Sequence, residues 1–207
     1  PVAEMARRFD LEDVGHSSAV FDTGKLAWMN RHYMKESPPA RLVLDSLRYF
    51  VRDGYVGEAT DKARGFLASL LPMALGSVDR LEEIPSRVAF LFDWNSETAT
   101  ALVAAEVDGA KAVTAFADAL SDAPMRDRDA FRAVAMRARE LSGLKGRALF
   151  HPIRVALTGM DSGPELDLAV PAIDRGAGLR PAAGVAPVRS CADRARVVAA
   201  RLAGQET

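Results

Sequence analysis

Apolar residues recur at three- and four-residue spacing along nearly the whole chain, while runs that alternate apolar and polar residues are almost absent. A period near 3.6 buries one stripe of a helix, whereas a period of 2 buries one face of a strand, so the pattern predicts an all-α fold. The 207 residues are 49% apolar, enough for a sizeable core in one large or two small domains.

Capping residues, prolines and glycines mark the expected helix ends. In "SPPARLVLDSLRYFVRDG" Ser37 is placed to cap a helix, Pro38 and Pro39 suit its first turn, Val43, Leu47, Phe50 and Val51 line one face, and Gly54 stops it. Thr60 is expected to cap "DKARGFLASLL", with Ala63, Phe66, Leu67, Leu70 and Leu71 as its stripe and Pro72 as its end. A third helix is expected over Val78 to Phe92, bent or started at Pro85. Asp127 caps a helix that buries Phe131, Val134, Ala135, Ala138 and Leu141 and ends at Gly143. The stretch "GAGLRPAAGVAP" reads as extended, and "SCADRARVVAARLAG" as a last, basic helix. Near Asn95 the aromatic-rich first half gives way to the alanine-rich "ETATALVAAEVDGAKAVTAFADAL", which places a subdomain boundary there.

Several function classes are disfavoured by what the chain lacks. No glycine-rich phosphate loop, metal-binding histidine pair or nucleophile elbow is present, so no catalytic residue is assigned. The single Cys191 cannot form an internal disulfide, and His16, His32 and His151 are too scattered for metal ligation, so no metal is assigned either. A reducing, cytoplasmic setting is the expectation. No apolar run reaches the length of a membrane span and no signal-peptide pattern opens the chain, so no membrane partner is expected. Pro1 runs directly into "VAEMARRF", which reads as helix interior and suggests a fragment.

A formal net charge of −1 provides no global attraction to a polyanion, so any such partner needs positive charge gathered locally. "SGLKGRALFHPIRVALTG" gathers it: Lys145, Arg147, His151 and Arg154 occur with no carboxylate among them. On one continuous helix Arg147, His151 and Arg154 share a face while Leu149, Ile153 and Leu157 face the core. Pro152 favours instead a helix that starts near His151, after an irregular lead in which Gly143 and Gly146 permit close backbone approach. Solvated arginines, or pairing with a carboxylate such as Asp161, are the plainer reading of the same charge. The following "GMDSGPEL" offers main-chain groups suited either to unstacked bases or to an ordinary interhelical turn. In "FDTGKLAWMNRHYMKE" Leu26, Met29 and Tyr33 fall on helical faces, Trp28 is accounted for by packing, and Asn30 reads as a buried cap.

Two of these stretches together resemble bacterial glutamyl-tRNA synthetases. "FDTGKLAWMNRHYMKE" is similar to the segment just beyond their catalytic half, and "KGRALFHPIRVALTGMDSGPEL" to the signature of their anticodon-binding body, with "LEEIP" and "FLF" between them. The resemblance implies an all-α helical bundle of the anticodon-binding type with two helical subdomains. Residues 1–36 would end the stem-contact region, 37–95 form the first anticodon-binding subdomain, and 96–207 the second with an extended tail. The class I catalytic signatures are absent and would lie before Pro1. The intact enzyme would attach glutamate to its tRNA with ATP and magnesium, while this fragment would need no cofactor and be inactive alone.

The resemblance also implies site residues. Arg154 matches the arginine that contacts anticodon bases, and Gly163, Pro164 and Leu166 match the turn that touches the same bases. Lys145 and Arg147 are then expected on phosphates, which position RNA without specifying it. Family members that accept only glutamate tRNA carry a discriminating arginine where Ser77 falls here, with Arg80 three residues away. The implied partners are the tRNA for glutamate, with that for glutamine left open, and the implied state is a monomer. A standalone helical protein-interaction module of the same fold is the alternative.

Overall fold

The computed structural model describes residues 2–15, 20–121 and 123–204; Pro1 and His16 fall outside them. The first half carries α1 (Val2–Arg8), α2 (Thr23–Glu36), α3 (Pro39–Arg52), α4 (Asp61–Ala74) and α5 (Ile84–Val88). The second half carries α6 (Ser96–Ala104), α7 (Gly109–Ala119), α8 (Arg128–Ser142), α9 (Arg147–Thr158), α10 (Leu166–Ala177) and α11 (Cys191–Ala203). Short 3-10 turns occupy Leu81–Glu83, Ala89–Leu91 and Pro181–Ala183. The described residues contain no strand beyond a single antiparallel bridge between Val56 and Val185. The fold is all-α.

The larger core runs from Met34 through Phe50, Leu70, Ile84 and Phe116 to Leu149, Ile153 and Ile173, and so crosses the position of Asn95 without interruption. A smaller one gathers Ala99, Val103, Val113, Val155, Ala156, Val198 and Leu202 where α6, α7, α9 and α11 meet. Helix α9 belongs to both cores: Leu149, Ile153 and Leu157 enter the first, Val155 and Ala156 the second. That double burial fixes the helix on two sides and leaves the Arg147 and Arg154 side of it toward the surface.

Several helix ends differ from expectation. Ser37 is the C-cap of α2, its hydroxyl donating to the carbonyl of Tyr33 at 2.8 Å, while Pro38 precedes α3 without a side-chain cap. Helix α4 is capped by Thr60, which accepts from the Ala63 N–H, but it continues through Pro72 to Ala74. A proline so near the end forfeits a single backbone bond and is tolerated there. The helix expected over Val78 to Phe92 is broken into a 3-10 turn, α5 and a second 3-10 turn, with Pro85 in the first turn of α5. Val51 (47% exposed) and Leu141 (61%) lie outward, while Ser46 and Ser142 take buried positions on the same helices.

Helix α2 is only lightly buried. Only Met34 is enclosed, and Trp28, 61% exposed, stacks on His32 with ring centroids 5.6 Å apart, so packing does not account for it. Asn30 is exposed rather than a buried cap. The helix is anchored by Met34 and by Arg31, whose guanidinium meets Asp79 at 2.6 Å. No helix of the described residues is long and apolar enough to cross a membrane.

Candidate nucleic-acid interface

Helix α9 begins at Arg147, earlier than Pro152 suggested, and Pro152 sits buried inside it. Gly143 ends α8 with φ +68° and Gly146 opens α9 with φ +59°. Nothing lies within 4 Å of where a Cβ would stand on either, so they serve the left-handed backbone and not a close approach. Together they fold Leu144 and Lys145 into a tight link between two helices. No side chain caps the start of α9, and Lys145 and Arg147 stand exposed beside it. Uncapped N–H groups, the positive end of the helix dipole and two cations suit that end to phosphate.

Arg154 lies two turns further along the same face, about 10 Å up the helix axis. It is half-buried and its Nε is fully buried with no hydrogen-bond partner among the described residues. A buried donor left unmade costs roughly 1–3 kcal/mol. The pairing with Asp161 does not occur; Asp161 instead lies 3.4 Å from His151 through its carboxylate. His151 links three segments, with Nδ1 3.0 Å from Glu106 Oε2 and Nε2 2.9 Å from the Asp161 carbonyl.

The turn after α9 is set by its own end. Gly159 adopts φ +70° and donates to the Val155 carbonyl, while the Thr158 hydroxyl donates to the Arg154 carbonyl at 2.8 Å and accepts from the Met160 N–H at 3.2 Å. Gly163 is exposed, Pro164 half-buried, and Leu166 starts α10 with only 6% of its surface exposed. The structure thus brings Arg154 and the Gly163–Leu166 turn to one end of α9 and places Lys145 and Arg147 at the other. Asp167, one residue on, is paired by Arg128 at 2.5 Å and Arg132 at 3.3 Å, which removes a free carboxylate from this edge and ties α8 to α10.

Ser77 and Arg80 lie apart, between α4 and α5. Ser77 ends the turn after α4 through its N–H and hydroxyl, both directed at the Ala74 carbonyl. Arg80 is engaged by Glu82 and Glu83, each at 3.0 Å.

Three groups behind the face were missed by the sequence reading. Arg194, fully buried, donates to the carbonyls of Phe90 (2.9 Å), Leu91 (2.6 Å), Leu157 (2.7 Å) and Arg189 (3.0 Å). Burial pushes its pKa down to about 10, so it remains a cation at neutral pH. Asp174 accepts from the Met125 N–H at 2.6 Å and the Cys191 N–H at 2.8 Å, which caps the first turn of α11. Burial, reinforced by Asp174, pushes the Cys191 thiol well up, which makes it an inert core group. Trp94 is the third. Arg194 was legible in principle, because it falls on the buried stripe that Cys191, Ala195 and Val198 define.

The face as a whole defines a class: helical domains that present a basic helix and a main-chain-rich turn side by side. The chain belongs to the anticodon binding domain family, whose model matches residues 26–179. It is 35% identical over 175 residues to a glutamate–tRNA ligase of Alkaliphilus metalliredigens, which covers 82% of this chain and 35% of that protein. It is 31% identical over 179 residues to the glutamate–tRNA ligase of Natranaerobius thermophilus, covering 83% of this chain and 36% of the relative. The chain therefore spans about a third of the length of these relatives. Among solved structures, a glutamate tRNA ligase from Elizabethkingia meningosepticum superposes with a TM-score of 0.66 over 97% of this chain and 36% of its own. At 17% identity that likeness speaks to the fold alone.

Proposed function

We propose that this chain is the tRNA-selecting portion of a glutamate–tRNA ligase, with the tRNA for glutamate as its partner. The observation that carries the reading is the half-buried Arg154 on the basic helix α9, which leads into an exposed, glycine-containing turn. In this reading the Arg154 guanidinium reads or stacks on anticodon bases, and Gly163 and Pro164 offer main chain and a flat ring to the same bases. Leu166, its side chain in the core, contributes through the backbone at the start of α10. Lys145 and Arg147 hold phosphates at the far end of α9.

Ser77 has no guanidinium to offer at the discriminating position, and Arg80 is already engaged by two carboxylates. The glutamine tRNA is accordingly proposed as a second, weaker partner. Glutamate activation, with its ATP and magnesium, is assigned to the part of the enzyme outside this chain, which acts as a cytoplasmic monomer. The residues here do not fit that chemistry: the sequence has no glycine-rich phosphate loop, and the described residues hold no group of three metal-ligating side chains.

The test is binding of the chain to a glutamate tRNA transcript and to transcripts with each anticodon base replaced in turn. Preference for the glutamate anticodon supports the reading. Equal binding of all transcripts, or none, overturns it in favour of a protein-binding role.

A further inference from the structure

A groove of about 460 Å³ opens between α4 and the C-terminal turn of α10, on a part of the molecule that the proposed base-reading turn does not reach. Lys62, Gly65 and Phe66 form its α4 wall, Arg175 and Gly178 face them from α10, and Arg126 joins from the loop before α8. Three elements thus converge three cations on one concave surface, and no carboxylate occurs among the described residues that line it. None of the three makes an ion pair within the described residues. Cations gathered in this way repel one another unless an anion is shared between them.

The local backbone keeps the groove open. A Cβ on Gly178 would lie 2.9 Å from Arg126 Nη2, so a side chain at this residue would push the guanidinium aside. A Cβ on Gly65 would meet nothing within 4 Å. Arg175 is oriented by its Nε, which donates to the Pro171 carbonyl at 3.0 Å.

Helix α10 connects this groove to the turn at Gly163–Leu166. Arg175 is nine residues beyond Leu166, about 14 Å along the axis, and shares a helix face with the exposed Leu168 two turns earlier. That length spans several nucleotides of an A-form RNA stem. We propose that Lys62, Arg126 and Arg175 form a second phosphate-binding surface that grips the sugar–phosphate backbone of the tRNA arm whose bases are read at the other end of α10. The inference rests on the tRNA-selecting reading above.

The experiment compares the chain with its Lys62→Gln, Arg126→Gln, Arg175→Gln combination, titrating fluorescent glutamate tRNA at several salt concentrations. The expected result is a log–log salt slope lower by about two, since each phosphate contact contributes about 0.7–0.9, with binding weakened alike for every anticodon. Arg126→Lys with Arg175→Lys should keep the original slope. If the triple variant melts early, Lys62→Gln and Arg175→Gln singly should each lower the slope by nearly one. An unchanged slope, a loss confined to certain anticodons, or failure of the lysine variant to keep the slope would overturn the second surface alone. A parent chain that binds no tRNA overturns the tRNA-selecting reading and this inference with it.

Discussion

The indole Nε1 of Trp94 donates to the main-chain carbonyl of Ala156 across 2.9 Å, tying the residue just before the Asn95 cap of α6 to the last turn of α9. The next carbonyl, of Leu157, is taken by Arg194, whose guanidinium carbon lies 5.3 Å from the centroid of the Trp94 ring. The last carbonyls of a helix have no partners within it. Here two side chains from outside α9 supply them, and so fix where the chain leaves the helix for the turn at Gly163.

Trp94→Phe should keep most of the packing and lose the donor. The expected cost is about 1–3 kcal/mol, the range for a buried carbonyl left without its hydrogen bond, read as a lower urea midpoint with an unchanged denaturant slope. Trp94→Ala should cost more, because its packing against the smaller core and the arginine stacking go as well.

Arg194→Met is expected to be among the most damaging single changes. It removes a buried charge but leaves the Phe90, Leu91 and Leu157 carbonyls without donors at about 1–3 kcal/mol each, partly offset by the desolvation no longer paid. Arg194→Lys should recover only part of the loss, since an ammonium cannot span the same fork of acceptors. Urea denaturation of the two variants ranks them directly.

Acid sensitivity should be traceable in part to Glu83. Its carboxylate accepts from the Asp79 N–H at 2.8 Å and from Arg80 at 3.0 Å, and these bonds hold its pKa below the ordinary value. The native state therefore binds this proton less readily than the unfolded chain, and stability rises with pH through the window between the two values. The contribution is complete above the unfolded pKa and disappears as pH falls through the lowered native one. Melting temperature plotted from about pH 6 to pH 3 should fall less steeply in Glu83→Gln than in the parent.

The fold class and most helices were legible because their stripes are long and their ends are marked. Thr60 and Asp127 each cap where the sequence places them, and Gly143 ends α8 in the left-handed conformation. The Val78 to Phe92 segment was not, because its breaks come from where its apolar residues must pack and no local breaker besides Pro85 announces them. Trp28 was misread because an aromatic at helical spacing looks the same whether or not a neighbour covers it. At the candidate site, the basic character of α9 was plain in the sequence. The ties that orient it were not, since Trp94, Glu106 and Arg194 are 62, 45 and 37 residues from the positions they bond.

The central claim, that Arg154 reads anticodon bases, is tested most directly by Arg154→Lys in this chain. Lysine keeps the charge and much of the aliphatic stem but loses the planar fork. With the glutamate tRNA transcript and its anticodon variants, the expected result is a loss of roughly 1–3 kcal/mol for the glutamate anticodon, little change for the variants, and an unaltered salt slope. A properly melting Arg154→Lys chain that retains its full anticodon preference would contradict the claim and leave Arg154 a phosphate or structural group.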